Sequence, residues 1–267
     1  MFRWSWCRLI ISKVSAESYV DYLQNSDREL PALSEIFPRH GTGTGELVKF
    51  HSLLCEAMKD HNFNYVGIKV VPPTSPPLQC LRATEPVCVP IFSNSFQGSV
   101  FSAKQHRIQF VEPLFVIRLG RDPPTQLTAN TVPAVCDAFF PGVEFVGSRY
   151  PFYPPHTTGF AADLGGCVAV HLGEAVSLGS ASLESLGDTN FVVTRREEPI
   201  QVGAGKNCLG GPGAAVALAV SYAASMGWPL REKHYIFCSG VGSRSPALAG
   251  EYKVNYGAYG SVSASLT

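Results

Sequence analysis

The sequence has no surplus of either charge: 21 lysines and arginines stand against 21 aspartates and glutamates in 267 residues. Without a basic excess there is no electrostatic footprint for a polyanion, so nucleic acid is not expected as a partner. No apolar run approaches the ~20 residues that a membrane-crossing helix needs, so an integral membrane protein is not expected either. The eight cysteines contain no Cys-x-x-Cys pair. Reduced, mostly buried thiols are therefore expected, not a zinc site or a disulfide framework. There is no Gly-x-Ser-x-Gly elbow, which removes the main signal for a serine hydrolase. Gly205-Lys206 lacks the first glycine of a phosphate loop and is followed by Asn207, and Gly41-Thr-Gly-Thr-Gly45 has no Lys-Ser/Thr ending, so a flexible turn is expected there. Repeats and low-complexity tracts are missing as well.

What is present is ample apolar material, 45% of residues, against 16% charged. That is enough for one large domain with its own core. The strongest local signal is Phe110–Leu119, a nearly continuous apolar run closed by Gly120, which reads as a buried strand. One acid, Glu112, sits inside it, and a carboxylate there is costly unless it meets a cation or a metal. Further strands are expected at Tyr65–Val71 with one lysine, Lys69; at 142–149 with Glu144; and after Asp163, where His171 reads as a structural histidine. Phe191–Thr194 and Gln201–Lys206 read as a hairpin, and Tyr235–Ser239, Tyr252–Tyr256 and Val262–Leu266 as closing strands.

Helical expectations are an entry over 15–38 capped by Ser15, and an amphipathic helix carrying Leu47, Phe50, Leu54 and Met58. A short helix is expected over Val132–Phe139, and a buried one over 213–226 stopped by Gly227 and Pro229. The Pro72–Pro77 segment reads as loop. Residues 1–14, with Arg3, Arg8 and Lys13 and no acid, read as a mitochondrial targeting or docking segment, with a cytoplasmic location as the alternative. Residues 15–267 read as one domain, with a helical arm over 15–60 and a β-roll over 61–267.

In this order the segments resemble the 2-keto-4-pentenoate hydratase branch of the fumarylacetoacetate hydrolase superfamily. The matching stretches are Val66-Gly-Ile-Lys-Val70, Val111-Glu-Pro-Leu-Phe115 followed by Leu119-Gly-Arg-Asp122, Gly142-Val-Glu-Phe145, Ala162-Asp163, the segment 203–213 with the helix after it, and the hairpin 257–266. The resemblance covers the chain from about Leu47 onward. It implies an α+β fold, a mixed β-sandwich roll with flanking helices and an N-terminal helical arm. It also implies a divalent metal, Mg2+ or Mn2+, held by three acids and gripping a 2-oxo acid, with a lysine beside it.

On that pattern Glu112 and Glu144 match two metal ligands, and Lys69 and Asp163 match catalytic positions. No other cofactor is implied. The remaining acid, two residues beyond Glu112 and so on the same strand face, is replaced by Leu114. Leu164 stands where an asparagine is implied, Val71 where a glycine is, and Pro86-Val-Cys-Val89 where Pro-Asp-x-Gly is. Losing a carboxylate ligand should cost more than the ~10–100-fold typical of changes behind the ligands. A residual cluster of Lys69 with Glu112 and Glu144 in a closed-down pocket is expected instead. Two functions stay open. One is a catalytically silent hydratase-fold protein serving as a structural or accessory subunit of a mitochondrial assembly, with protein partners or copies of itself. The other is an active Mg2+-dependent hydratase or decarboxylase, a lyase acting on a small 2-oxo acid of the 2-hydroxydienoate type. The departures favour the first.

Overall fold

The computed structural model of the chain describes residues 13–24, 44–96, 98–128, 130–150, 154, 156–179 and 182–267. Helix α1 (Lys13–Gln24) already runs at Lys13, so Ser15 lies within it and not at its cap. The rest of the helical entry expected through Pro38 lies outside the described residues, as do residues 1–12 of the basic leader. Helix α2 (Thr44–Asp60) takes in Thr44 and Gly45 as its first turn, where a flexible turn was expected. Its apolar stripe at three- and four-residue spacing, Phe50, Leu54 and Met58, packs against Ala16, Tyr19 and Val20 of α1.

Strand β1 (Tyr65–Val71) falls where its apolar run predicts. Pro76 and Pro77 open a short helix, α3 (Pro76–Cys80), because the first turn of a helix has no use for the N–H that proline lacks. The loop expected there therefore stops at Ser75. Then come β2 (Val87–Phe92), β3 (Val100–Phe101), α4 (Ala103–His106) and the long strand β4 (Ile108–Leu119). The helix expected over Val132–Phe139 is a single 3-10 turn, Val132–Val135, after which the chain is strand β5 (Cys136–Gly147). Phe139 and Phe140 are better placed beside Ile117 and Val116 of β4 than in a helix. The remaining elements are α5 (Thr157–Ala162), β6 (Cys167–Leu172), β7 (Val176–Ser177), α6 (Ser182–Asp188), β8 (Asn190–Arg195), β9 (Glu198–Ala204), α7 (Pro212–Ser225), β10 (Tyr235–Cys238), β11 (Ser245–Pro246), β12 (Gly250–Asn255) and β13 (Ser261–Leu266).

Among the described residues the strands form two sheets. The larger has the order β2-β1-β10-β4-β5-β6, with β11 added to β4 and β7 to β5; the smaller runs β3-β13-β12-β8-β9. Pairing is antiparallel except between β1 and β10 and between β13 and β3. Val111, Phe115, Ile117 and Leu119 of β4 enter a core shared with Tyr252, Val254, Val262 and Ala264 of the smaller sheet and with α7. Rings close this interface: Phe115 meets Tyr256 with centroids 5.0 Å apart, and Phe145 meets Tyr252 at 5.9 Å. Helix α7 is buried along Ala215, Val216, Ala219 and Ala223, while Ala214 and Ser221 face outward, so it is covered on one side and not all round. This is the mixed β-sandwich roll with flanking helices and a helical arm that the sequence implies.

Candidate functional site

Alternation along β4 sends Glu112, Leu114 and Val116 to the face opposite the two-sheet core. There Leu114 and Val116 join Val71, Val89, Phe160, Val170 and Phe237 in a separate apolar cluster. Lys69 of β1 shares this face, being paired in register with Val89 and Phe237. Glu144 of β5 lies directly opposite Glu112 across the β4–β5 ladder. The fold thus brings Lys69, Glu112 and Glu144 onto one surface of one sheet. All three are buried, at 1%, 4% and 0% exposure.

Two carboxylates on facing positions of a dry surface repel unless each meets a cation. Here each does. Lys69 Nζ donates to Glu144 Oε1 at 2.6 Å and to the Gly165 carbonyl at 3.1 Å. Arg244 donates from Nε to Glu112 Oε1, and Ser239 Oγ donates to Glu112 Oε2 at 3.2 Å. The Arg244 guanidinium also lies over the Phe110 ring, 5.2 Å from its centroid. Glu144 Oε2 is buried without a hydrogen bond of good geometry; the Cys167 thiol, a weak donor, is the polar group beside it.

The charges follow from these contacts. Burial works against the Lys69 cation, but Glu144, then Cys167 and Glu112, outweigh it and hold the ammonium protonated. For Glu112 burial would raise the carboxyl, yet Arg244 and Lys69 pull it below the usual carboxylate range. Glu144 carries the strain of the pair, pushed up by burial and by Glu112 despite Lys69.

Asp163 belongs to a neighbouring ion pair. Its carboxylate accepts from Arg149 Nη1 at 2.9 Å and from the Arg149 backbone N–H at 3.1 Å, and both side chains are largely buried. Three consecutive turn residues, Leu164, Gly165 and Gly166, take positive φ, which carries the chain from Asp163 to the carbonyl that receives Lys69. Asp163 is therefore linked to the Lys69 site through the 164–166 backbone, and its partner Arg149 also donates from Nη2 to the carbonyl of Cys167, beside Glu144.

Sequence reasoning missed Arg244, Ser239 and Arg149. An arginine inside Gly240-Val-Gly-Ser-Arg-Ser245 shows no periodicity that assigns it a partner, and it meets Glu112 across 132 residues of chain.

A divalent ion does not fit this donor set as it stands. Mg2+ asks for near-octahedral oxygen coordination, whereas both Glu112 oxygens and one Glu144 oxygen are already engaged. Leu114, fully buried, stands at the position of the missing acid and packs over Gly142, where a Cβ would come within 2.9 Å of its own. The pair already has two positive charges. Among the described residues no group of three or more His, Cys, Asp or Glu side chains is arranged to hold a metal ion. Three surface clefts, of about 730, 540 and 350 Å3, border Lys206 with α6, Lys206 with Pro72–Pro76, and Trp228 with His234; none is lined by Lys69, Glu112 or Glu144.

No protein-family model matches the sequence. Solved structures do match the fold. A 4-oxalocrotonate decarboxylase from Pseudomonas putida G7, complexed with magnesium and adipate, superposes with a TM-score of 0.81 at 18% identity, covering 96% of this chain and 97% of that one. The same enzyme with calcium and acetate gives 0.79 at 19% identity, covering 96% and 97%. A protein from Yersinia pestis CO92 provisionally assigned to the fumarylacetoacetate hydrolase family gives 0.52 at 14%, over 77% of this chain and 94% of that one. The chain therefore shares its fold with these proteins, which is the fold that the resemblance in its sequence implied.

Proposed function

We propose that this chain is a hydratase-fold protein whose metal seat has been replaced by internal salt bridges, and that it serves as a non-catalytic, structural or accessory subunit. One observation carries the reading: each of the two acids expected to hold a metal, Glu112 and Glu144, is buried against its own protein cation. A buried pair of this kind is costly to open, because removing one partner strands a charge at a cost of about 3–5 kcal/mol. The mitochondrial setting belongs to this reading through the basic, acid-free start of the sequence alone. Sedimentation of the tagged protein from mitochondrial extract within a large particle would support it; recovery only as a free small species in another compartment would refute that part.

A second reading keeps the chain as a Mg2+-dependent lyase acting on a small 2-oxo acid. The likeness to a decarboxylase complexed with magnesium and adipate, over nearly the whole of both chains, favours it. Lys69 would then act as acid or base, Glu112 and Glu144 as ligands, and Asp163 as an orienting group. Two measurements on the wild-type protein separate the readings. Calorimetric titration with Mg2+ or Mn2+ is expected to show no micromolar binding, and 2-hydroxypentadienoate or 4-oxalocrotonate is expected to stay unconverted at high protein concentration with metal present. Micromolar binding abolished by Glu144→Gln, together with turnover, establishes the lyase and overturns the first reading.

A further inference from the structure

We infer that Arg244 is the built-in replacement for a divalent ion: its guanidinium supplies the charge that keeps Glu112 buried, and removing it creates a divalent-cation site that the wild-type chain lacks. The inference deepens the closed-site reading and rests on it.

The argument starts from charge. Glu112 and Glu144 face each other across two strands, and their two negative charges need two positive ones to stay out of water. Lys69 supplies one from within the sheet, rooted in β1 and fixed by the Gly165 carbonyl. The other comes from outside the sheet. Arg244 sits in the Gly- and Ser-rich segment between β10 and β11, next to Ser245, whose strand pairs with Val111 of β4. The strand pairing thus delivers the arginine to the residue beside Glu112. Its side chain is only 9% exposed and is held by the carboxylate on one side and the Phe110 ring on the other.

Taking the guanidinium away leaves Glu112 Oε1 without its cation on the strand position directly opposite Glu144, whose Oε2 has no hydrogen bond of good geometry. Two unpaired oxygens from facing strands, with one surplus negative charge, make an oxygen-lined seat for a hard cation, to which water can add. Leu114→Glu on the same strand face adds a third carboxylate.

The test uses full-length protein and Mn2+, read by the loss of the free-ion electron paramagnetic resonance signal. Wild type is expected to leave the signal unchanged at micromolar Mn2+. Arg244→Ala should bind Mn2+ at least about tenfold more tightly than wild type, the low end of what outer contacts contribute to metal affinity. Arg244→Ala/Leu114→Glu should bind more tightly again, and Arg244→Ala/Glu112→Gln should lose the gain. Where Arg244→Ala is too unstable to titrate, its melting temperature in millimolar Mn2+ replaces the titration: a rise seen in the variant and not in wild type supports the inference. A folded Arg244→Ala that neither binds Mn2+ nor is stabilised by it, with wild type silent, overturns the inference and leaves the closed-site reading standing. Micromolar binding by wild type overturns the closed-site reading itself, and this inference with it.

Discussion

Lys69, Glu112, Glu144 and Arg244 form a charged group with no net charge on the face of a sheet that is otherwise Val, Leu and Phe. Three of the four were legible: an acid in the middle of Phe110–Leu119 demands a cation, Lys69 stands alone in its own apolar strand, and the resemblance adds Glu144. Arg244 was not, since an arginine 132 residues away in a Gly- and Ser-rich segment has no local mark of its partner. His51 of α2 is another buried polar residue, for which the sequence shows no mark. Its Nε2 donates to the Ala161 carbonyl at 3.0 Å, which leaves Nδ1 to accept from the Tyr222 hydroxyl at 2.6 Å. Burial holds the ring neutral, with its pKa lowered to about 4. Unfolded, the imidazole titrates near 6.5, so between those values the unfolded chain binds a proton that the native one does not. Stability is then full above pH ~6.5 and falls on acidification, by about 3 kcal/mol once pH 4 is passed. Denaturant midpoints measured from pH 7 to 4 should show this slope in wild type, and His51→Gln should flatten it.

Among the elements, strands declared themselves more clearly than helices. An apolar run such as Tyr65–Val71 or Phe110–Leu119 needs only burial on both faces. By contrast, the helix expected over Val132–Phe139 gave way to ladder pairing with β4 from Cys136 onward. The β8–β9 turn is made by Arg196 and Glu197, both at positive φ, with none of the glycine or asparagine that usually marks such a turn. Two elements are tied by Tyr256, just after β12, whose hydroxyl is shared between the carbonyls of Leu114 on β4, at 2.8 Å, and Gly142 on β5, at 2.7 Å. Tyr256→Phe keeps the ring and leaves those carbonyls short of a donor inside the core. It should cost about 1–2 kcal/mol, seen as a lower urea midpoint with an unchanged m-value.

For the molecule as a whole, the helical arm is joined to the roll by packing. Tyr19 of α1 stacks edge-on against Phe50 of α2 at 5.8 Å, within a cluster that includes Tyr150 and Leu164, the residues flanking the Arg149–Asp163 pair. Its phenol is pushed up by burial and feels both charges of that pair. Tyr19→Ala should therefore cost about 3–5 kcal/mol, the usual range for emptying an aromatic site. Helical circular dichroism and tryptophan fluorescence should still report one coincident unfolding transition. A transition split into two, with the roll unaffected, would mean that the arm folds apart from it. Six of the seven described cysteines are buried and all are free thiols, in keeping with the reduced, core-filling role read from their spacing. No helix among the described residues is long and apolar enough to cross a membrane.

By itself the sequence determined the apolar strands, the acids and lysine inside them, and the hydrocarbon at position 114, because period, burial and the cost of a lone charge are local quantities; the α+β roll came from the resemblance in the order of those segments. Only the tertiary structure decided which charges meet. Register set Glu112 opposite Glu144, chain reversal after β10 brought Arg244 to Glu112, and a turn of positive-φ residues offered Lys69 a carbonyl. Those pairings join residues 32 to 132 positions apart, and no pattern along the chain encodes a partner at that distance.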